Sequence, residues 1–124
     1  MIQDVKIVVV ENDAALLHLM VTALRYCVNR EVKGFGDSTQ IRQYFNGGGR
    51  ADILILNVDM PAMNGFDLMT RVKQQHPHLT CIVMSGIKAH AKTAGDQGAD
   101  GFLGKPFEIN DLFDIVQHYV VEAR

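Results

Sequence analysis

The chain has 124 residues, the size of one ordinary domain, which is long enough for a single hydrophobic core and too short for two. Its 12 basic and 14 acidic residues give a net charge of -2, so there is no electrostatic reason to expect direct binding to nucleic acid or to an anionic membrane. The first residues contain neither a basic segment nor an apolar stretch near the roughly 20 residues of a membrane span. We therefore expect a cytoplasmic protein whose partners are other proteins or small ions.

Short segments rich in Val and Ile alternate along the chain with segments of helical periodicity. Strands are predicted at residues 5–10, 31–36, 52–57, 80–85 and 101–104. Helices are predicted at residues 13–27, 38–46, 65–75, 88–97 and 108–122. Apolar strands that alternate with helices favour a parallel sheet covered on both faces, because each crossover helix lies on one face or the other. The sequence therefore predicts a doubly wound α/β domain.

The fourth predicted helix is the weakest of the five. Gly95 lies inside it and Gly98 directly at its end, and each glycine costs roughly 1 kcal/mol relative to alanine in a helix. We expect this helix to be short or frayed.

Cysteine and histidine residues do not have the spacing of a metal site. Cys27 and Cys81 are far apart and are expected to be free, buried thiols. His76 and His78 lie close together but have no third ligand nearby in the sequence, which favours a solvated turn.

Polar residues follow four of the predicted strands. In doubly wound folds, ligands bind at the carboxyl ends of the strands, where the strand order reverses. We therefore expect these side chains to share one edge of the sheet: Glu11, Asn12 and Asp13 after the first strand, Asn57 and Asp59 at the third, Ser85 at the fourth and Lys105 after the fifth.

The segments VVVEND, ILILNVDMPAMNG, IVMSG and GADGFLGKPF occur at these strand ends. Together they resemble the receiver domain of two-component response regulators, and the resemblance covers essentially the whole chain. It implies a flavodoxin-like five-stranded sheet of order 2-1-3-4-5. It also implies one receiver domain over residues 1–124, with no effector domain visible.

The resemblance assigns roles to the residues at this edge. In the family, two acids after the first strand and an aspartate at the third strand bind Mg2+. That aspartate accepts a phosphoryl group from a histidine kinase, and a Ser or Thr and a Lys hold the phosphoryl oxygens. Glu11 and Asn12 match the acid pair, Asn57 the phosphoryl acceptor, and Ser85 and Lys105 the phosphoryl contacts.

Three further positions match the family pattern. Asp59 corresponds to a residue whose backbone carbonyl ligates the metal. Phe102, together with Ser85, corresponds to the pair that changes conformation on activation. The Lys105–Pro106 bond corresponds to a peptide that is cis in most relatives.

Two departures from the family change the expected chemistry. Asn57 carries a neutral carboxamide whose nitrogen lone pair is delocalised, so it is not expected to form an acyl phosphate. Asn12 offers Mg2+ a carbonyl instead of a carboxylate, which predicts a weakened metal site at Glu11, Asn12 and the Asp59 backbone and no required cofactor. We expect Lys105 to pair with Glu11 and to donate to the Asn57 carbonyl in place of the metal.

Four other interpretations of this site and chain remain open. Asn57 could cap a strand end without any further role. Asp13 or Asp59 could replace it as metal ligand or acceptor. Asn57 could also be an engineered block in a conventional phospho-accepting receiver, although the neutral Asn12 and a segment before Lys105 that is about two residues short favour natural divergence. Finally, the chain could be a dimerisation module that uses its apolar helices.

The first predicted helix has apolar residues on more than one face between residues 14 and 24. In receivers this helix is where kinases and phosphotransfer proteins dock, so candidate partner contacts are Leu17, Met20, Val21 and Leu24. The same residues also suit a core stripe. The leading hypothesis is a non-enzymatic receiver-like domain that is not phosphorylated in the usual way. Its expected partner is a histidine kinase, a phosphotransfer protein or another signalling protein.

Overall fold

The structure is a computed structural model that describes residues 5–27, 31–61 and 64–122. The strands are β1 (Lys6–Val10), β2 (Glu31–Phe35), β3 (Ile53–Asn57), β4 (Thr80–Ser85) and β5 (Gly101–Gly104). The helices are α1 (Ala14–Cys27), α2 (Ser38–Asn46), α3 (Gly65–Gln75), α4 (His90–Asp96) and α5 (Ile109–Glu122). All ten predicted elements are present, and α4 is short, as its glycines indicated.

The five strands form one parallel sheet of order β2-β1-β3-β4-β5. This is the flavodoxin-like order that the resemblance to receiver domains implied. The order reverses between β1 and β3, which pair from Ile7 with Ile53 to Val10 with Leu56. That register brings the carboxyl ends of β1 and β3 side by side at one edge of the sheet.

Alternate residues of each strand enter two separate cores, because successive side chains of a strand point to opposite faces. Val8, Leu54 and Val83 pack with α2, α3 and α4 on one face. Ile7, Ile55 and Met84 pack with α1 and α5 on the other. The buried strands are therefore apolar on both faces, which explains their continuous Val and Ile runs.

Two polar side chains define where helices begin beside the polar edge. The Asp13 carboxylate accepts from the backbone N–H groups of Ala15 and Leu16 at 3.0 and 3.1 Å, which caps the start of α1. Asn64 caps α3 in the same way. At the next residue, a Cβ on Gly65 would lie 2.6 Å from the Val58 Cα, so only glycine allows α3 to approach the end of β3 this closely.

Cys81 is a free, buried thiol near the start of β4, as expected. Burial raises the pKa of this thiol to about 12, since desolvation disfavours the thiolate. The side chain of Cys27 lies outside the described residues.

None of the described helices is long and apolar enough to cross a bilayer.

Candidate functional site

The predicted polar residues meet at the carboxyl edge of the sheet. Glu11 and Asn12 follow β1, Asn57 ends β3, Ser85 ends β4 and Lys105 follows β5. Glu11, Asn57 and Ser85 are the three buried polar or charged residues among the described part of the chain. A buried polar group is costly unless it is hydrogen-bonded, so the contacts of these three side chains define the site.

Glu11 is paired with Lys105, as predicted. The Lys105 Nζ lies 2.5 Å from the Glu11 Oε1, and the Glu11 side chain is 1% exposed against 23% for Lys105. The second carboxylate oxygen, Oε2, accepts from the backbone N–H of Asp13 at 2.9 Å and from the Asn57 amide at 3.1 Å. Glu11 is therefore satisfied by three protein donors and neutralised by an internal lysine.

The Asn57 amide links the ends of β1 and β3. Its Nδ2 donates to Glu11 Oε2 and to Asn12 Oδ1, the latter at 3.0 Å. Its Oδ1 accepts from the backbone N–H of Asp59 at 3.0 Å. A carboxylate at position 57 could not donate to Glu11, because two carboxylate oxygens would face each other there.

One predicted contact differs from the structure. We expected Lys105 to donate to the Asn57 carbonyl, but that oxygen is taken by the Asp59 backbone, and the described Lys105 side-chain contact is with Glu11 alone. The reason is the local turn. Asp59 follows Asn57 by two residues, so its N–H can close an Asx-type turn without any long side chain.

The Asp59 carboxylate makes the second half of the site. It accepts from the Ser85 hydroxyl, which is 2.9 Å from both oxygens, and from the Gly86 backbone N–H at 2.9 Å. His90 Nδ1 lies 3.1 Å from Asp59 Oδ1 and 2.8 Å from the Ser85 Oγ. Asp59 therefore contributes its side chain to the site, whereas the resemblance implied a role for its backbone carbonyl.

The hydrogen bonds around Ser85 determine which nitrogen of His90 carries a proton. The single hydroxyl proton of Ser85 is donated to Asp59, and the Ser85 oxygen already accepts from the Ile87 N–H at 3.0 Å. Nδ1 of His90 also faces Asp59 Oδ1, a carboxylate oxygen that can only accept, so we assign the donor hydrogen to Nδ1. The ring of His90 also packs edge-on against Phe66, with centroids 5.4 Å apart, which holds the imidazole in place.

Sequence reasoning missed His90. A histidine five residues after the strand-end serine, at the start of a helix, was the available signal. It carries little weight alone, because the sequence does not show which side chain the histidine contacts.

These residues do not fit a magnesium ion. A metal at the carboxyl ends of β1 and β3 needs free oxygen ligands, but Glu11 is committed to Lys105 and an N–H donor of Asn57 points towards Glu11 and Asn12. In the part of the chain that the structure describes, no group of three or more His, Cys, Asp or Glu side chains could hold a metal ion. Asp13, an alternative ligand or acceptor, uses its carboxylate to cap α1.

Phe102 is half-buried and packs against the core formed with α2, α3 and α4. The Lys105–Pro106 peptide is cis, as the resemblance implied.

The predicted partner face on α1 needs correction. Met20 and Leu24 are fully buried in the core that α1 forms with the sheet and α5, so they are not available to a partner. Leu17 and Val21 are half-buried and pack against the same core. The exposed apolar residues of α1 are instead Leu19 and Tyr26, which are 54% and 88% exposed.

The sheet has the order 2-1-3-4-5, and a polar site lies at the strand ends beside the point where this order reverses. The site contains Glu11, Ser85 and Lys105. These two features define a class of doubly wound α/β domains. Comparison with known families narrows the class. A sequence model of the response regulator receiver domain matches residues 7–117. The chain belongs to this family of two-component signalling domains.

Curated relatives agree with this assignment. The chain is 33% identical to the DNA-binding transcriptional regulator NtrC of Azospirillum brasilense over 113 residues, which cover 90% of this chain and 23% of that protein. It is 31% identical to the response regulator ArlR of Staphylococcus aureus over 104 residues, which cover 82% of this chain and 45% of that protein. The chain thus spans about a quarter of the length of the NtrC relatives that it matches.

Solved structures show the same fold. The receiver domain of the Francisella response regulator 1452 superposes with a TM-score of 0.86 at 19% identity, covering 98% of this chain and 100% of that chain. The BeF3-activated receiver domain of DrrB superposes with a TM-score of 0.82 at 22% identity, covering 94% and 97% of the two chains.

Proposed function

We propose that this receiver domain does not accept a phosphoryl group and acts in two-component signalling as a non-enzymatic protein-binding module. The observation that supports this most strongly is the Asn57 amide. It stands at the end of β3, where the family carries its nucleophile, and it donates both to Glu11 and to Asn12. An amide that serves as a buried hydrogen-bond donor has no anionic oxygen with which to attack phosphorus.

The charge balance of the site supports the same function. In the family, three carboxylates face one lysine, and a divalent cation offsets the excess. At the matching positions here, Glu11 and Lys105 cancel each other and Asn12 and Asn57 are neutral, while the Asp59 carboxylate is held separately by Ser85, Gly86 and His90. The internal hydrogen bonds replace the contacts that a metal would make, so the site is expected to be complete without one.

The expected partners are a histidine kinase or a phosphotransfer protein, which dock on the first helix in receivers. Leu19 and Tyr26 supply the exposed apolar area on α1, and large exposed apolar groups mark interaction surfaces when they cluster. The two residues are seven positions apart, about two helical turns, and so lie on one side of α1.

Phosphorylation is tested by incubating the protein with Mg2+ and a small acyl phosphate and recording its intact mass. We expect no phosphoryl adduct. A receiver with aspartate at the acceptor position, treated in parallel, shows that the donor is active. A stoichiometric adduct on this chain would refute the proposal, and peptide mapping would show whether Asp13 or Asp59 carried it.

Partner binding is tested by titrating the protein with histidine kinases and phosphotransfer proteins of the same genome. Leu19→Asp or Tyr26→Asp should weaken the complex, whereas Ile87→Asp, which alters another exposed apolar residue away from α1, should not. Loss of binding in Ile87→Asp alone would place the partner on a different face.

A further inference from the structure

The end of β4 presents a set of donors suited to an oxyanion. The Ser85 hydroxyl, the Gly86 backbone N–H and the Nδ1–H of His90 all converge on one point. Hydroxyl, backbone amide and imidazole donors arranged in this way are the groups that proteins use to hold carboxylate or phosphoryl oxygens.

In this chain that point is occupied by the chain's own carboxylate. Both oxygens of Asp59 lie 2.9 Å from the Ser85 Oγ, and Oδ2 also accepts from Gly86. Ser85 is fully buried, so its hydroxyl has no route to solvent while Asp59 is in place. An external oxyanion could reach these donors only by displacing Asp59.

Neutrality at position 57 makes this arrangement favourable. Asp59 brings a negative charge close to Asn57, whose Oδ1 accepts from the Asp59 backbone. An aspartate at position 57 would add a second carboxylate beside Glu11, and its repulsion would weaken the hold of Asp59 on its donors without removing the Ser85, Gly86 and His90 hydrogen bonds that keep Asp59 in place. The neutral amide removes that repulsion.

We infer that Asp59 is an internal oxyanion, which occupies the Ser85 and Gly86 donors in place of a phosphoryl group and, through His90, holds the start of α4. This inference rests on the proposed function and extends it. The site is closed to phosphoryl oxygens by Asp59 as well as by the loss of the nucleophile at position 57. It also gives α4 a permanent link to the site that does not depend on any signal.

The first test restores the two missing acids and asks whether Asp59 still blocks the site. In Asn12→Asp/Asn57→Asp, the new carboxylate at position 57 can attack the phosphorus of an acyl phosphate, whose own carboxylate leaves. Adding Asp59→Ala should raise the labelling rate at least about tenfold, since displacing a carboxylate from even one charge-assisted hydrogen bond exceeds that factor. Adding Asp67→Ala, which removes an exposed acid on the first turn of α3, should leave the rate unchanged.

The outcomes separate this inference from the proposed function. If labelling of Asn12→Asp/Asn57→Asp is equally fast with and without Asp59→Ala, Asp59 does not block the site and the inference is wrong. The proposed function would stand in that case, because it concerns the unmodified chain.

A second test needs no restored acids. Orthophosphate is titrated into the unmodified chain and into Asp59→Ala while the backbone amides of Ser85 and Gly86 are followed by NMR. We expect saturating shifts in Asp59→Ala and none in the unmodified chain. The same response in both proteins, whether shifts or none, would overturn the inference.

Discussion

Removing the lysine of the Glu11–Lys105 pair should destabilise the fold much more than removing a surface lysine. Lys105→Met leaves Glu11, at 1% exposure, without its counter-charge, and breaking a buried pair typically costs about 3–5 kcal/mol. Glu11 keeps two hydrogen-bond donors, the Asp13 backbone and the Asn57 amide, and water can partly reach the space that Lys105 leaves. We therefore expect a cost at the lower end of that range, about 3 kcal/mol. At roughly 4 °C per kcal/mol for a domain of this size, Tm should fall by about 12 °C.

The assay is urea and thermal unfolding followed by circular dichroism. Glu11→Gln should cost less, about 1 kcal/mol, because Lys105 is partly exposed and can be solvated when its partner is neutral. Adding Glu11→Gln to Lys105→Met should recover part of the loss. Lys92→Met, which breaks an exposed pair with Asp96, is the matched control and should cost under about 0.5 kcal/mol. A Lys105→Met cost no larger than that of Lys92→Met would refute the reasoning.

Adding about 10 mM Mg2+ should leave Tm unchanged. A Mg2+ site with a Kd of about 1 mM would stabilise the fold by ~1.4 kcal/mol at this concentration, so a rise in Tm would contradict the prediction. Gly65→Ala should lower the free energy of unfolding by about 1–3 kcal/mol, because its Cβ would meet the Val58 backbone at 2.6 Å; no loss in urea unfolding would contradict this contact. Burial raises the pKa of Cys81 to about 12, so the thiol stays neutral in the folded protein, whereas in the unfolded chain it ionises near pH 9. The free energy of unfolding should therefore fall as the pH rises from about 9 to 11. In urea unfolding, Cys81→Ala should show a smaller fall over this range.

The sequence predicted the ten elements because strand and helix periods differ so clearly along this chain. It also predicted the Glu11–Lys105 pair. Parallel strands end at one edge of the sheet, and an acid and a base placed there attract each other. These features depend on the spacing of apolar residues and on the positions of charged residues, which a sequence shows directly.

Three features depended on side-chain directions that a sequence does not show. The orientation of the Asn57 amide follows from which oxygens surround it, and a free backbone N–H at Asp59 displaced the expected lysine contact. The contact of His90 with Asp59 depends on how α4 begins. On α1, apolar residues on several faces left core and surface indistinguishable until the helix was placed on the sheet, with Met20 inside and Leu19 outside.

We propose that Lys105 and Asp59 close this receiver site from within, so that it needs neither a metal ion nor a phosphoryl group. The most direct measurement is an NMR titration of the unmodified chain with Mg2+ and beryllofluoride, a mimic of an acyl phosphate. We expect the resonances of the Gly86 and Lys105 backbone amides not to shift. Saturating, Mg2+-dependent shifts at these two amides would contradict it.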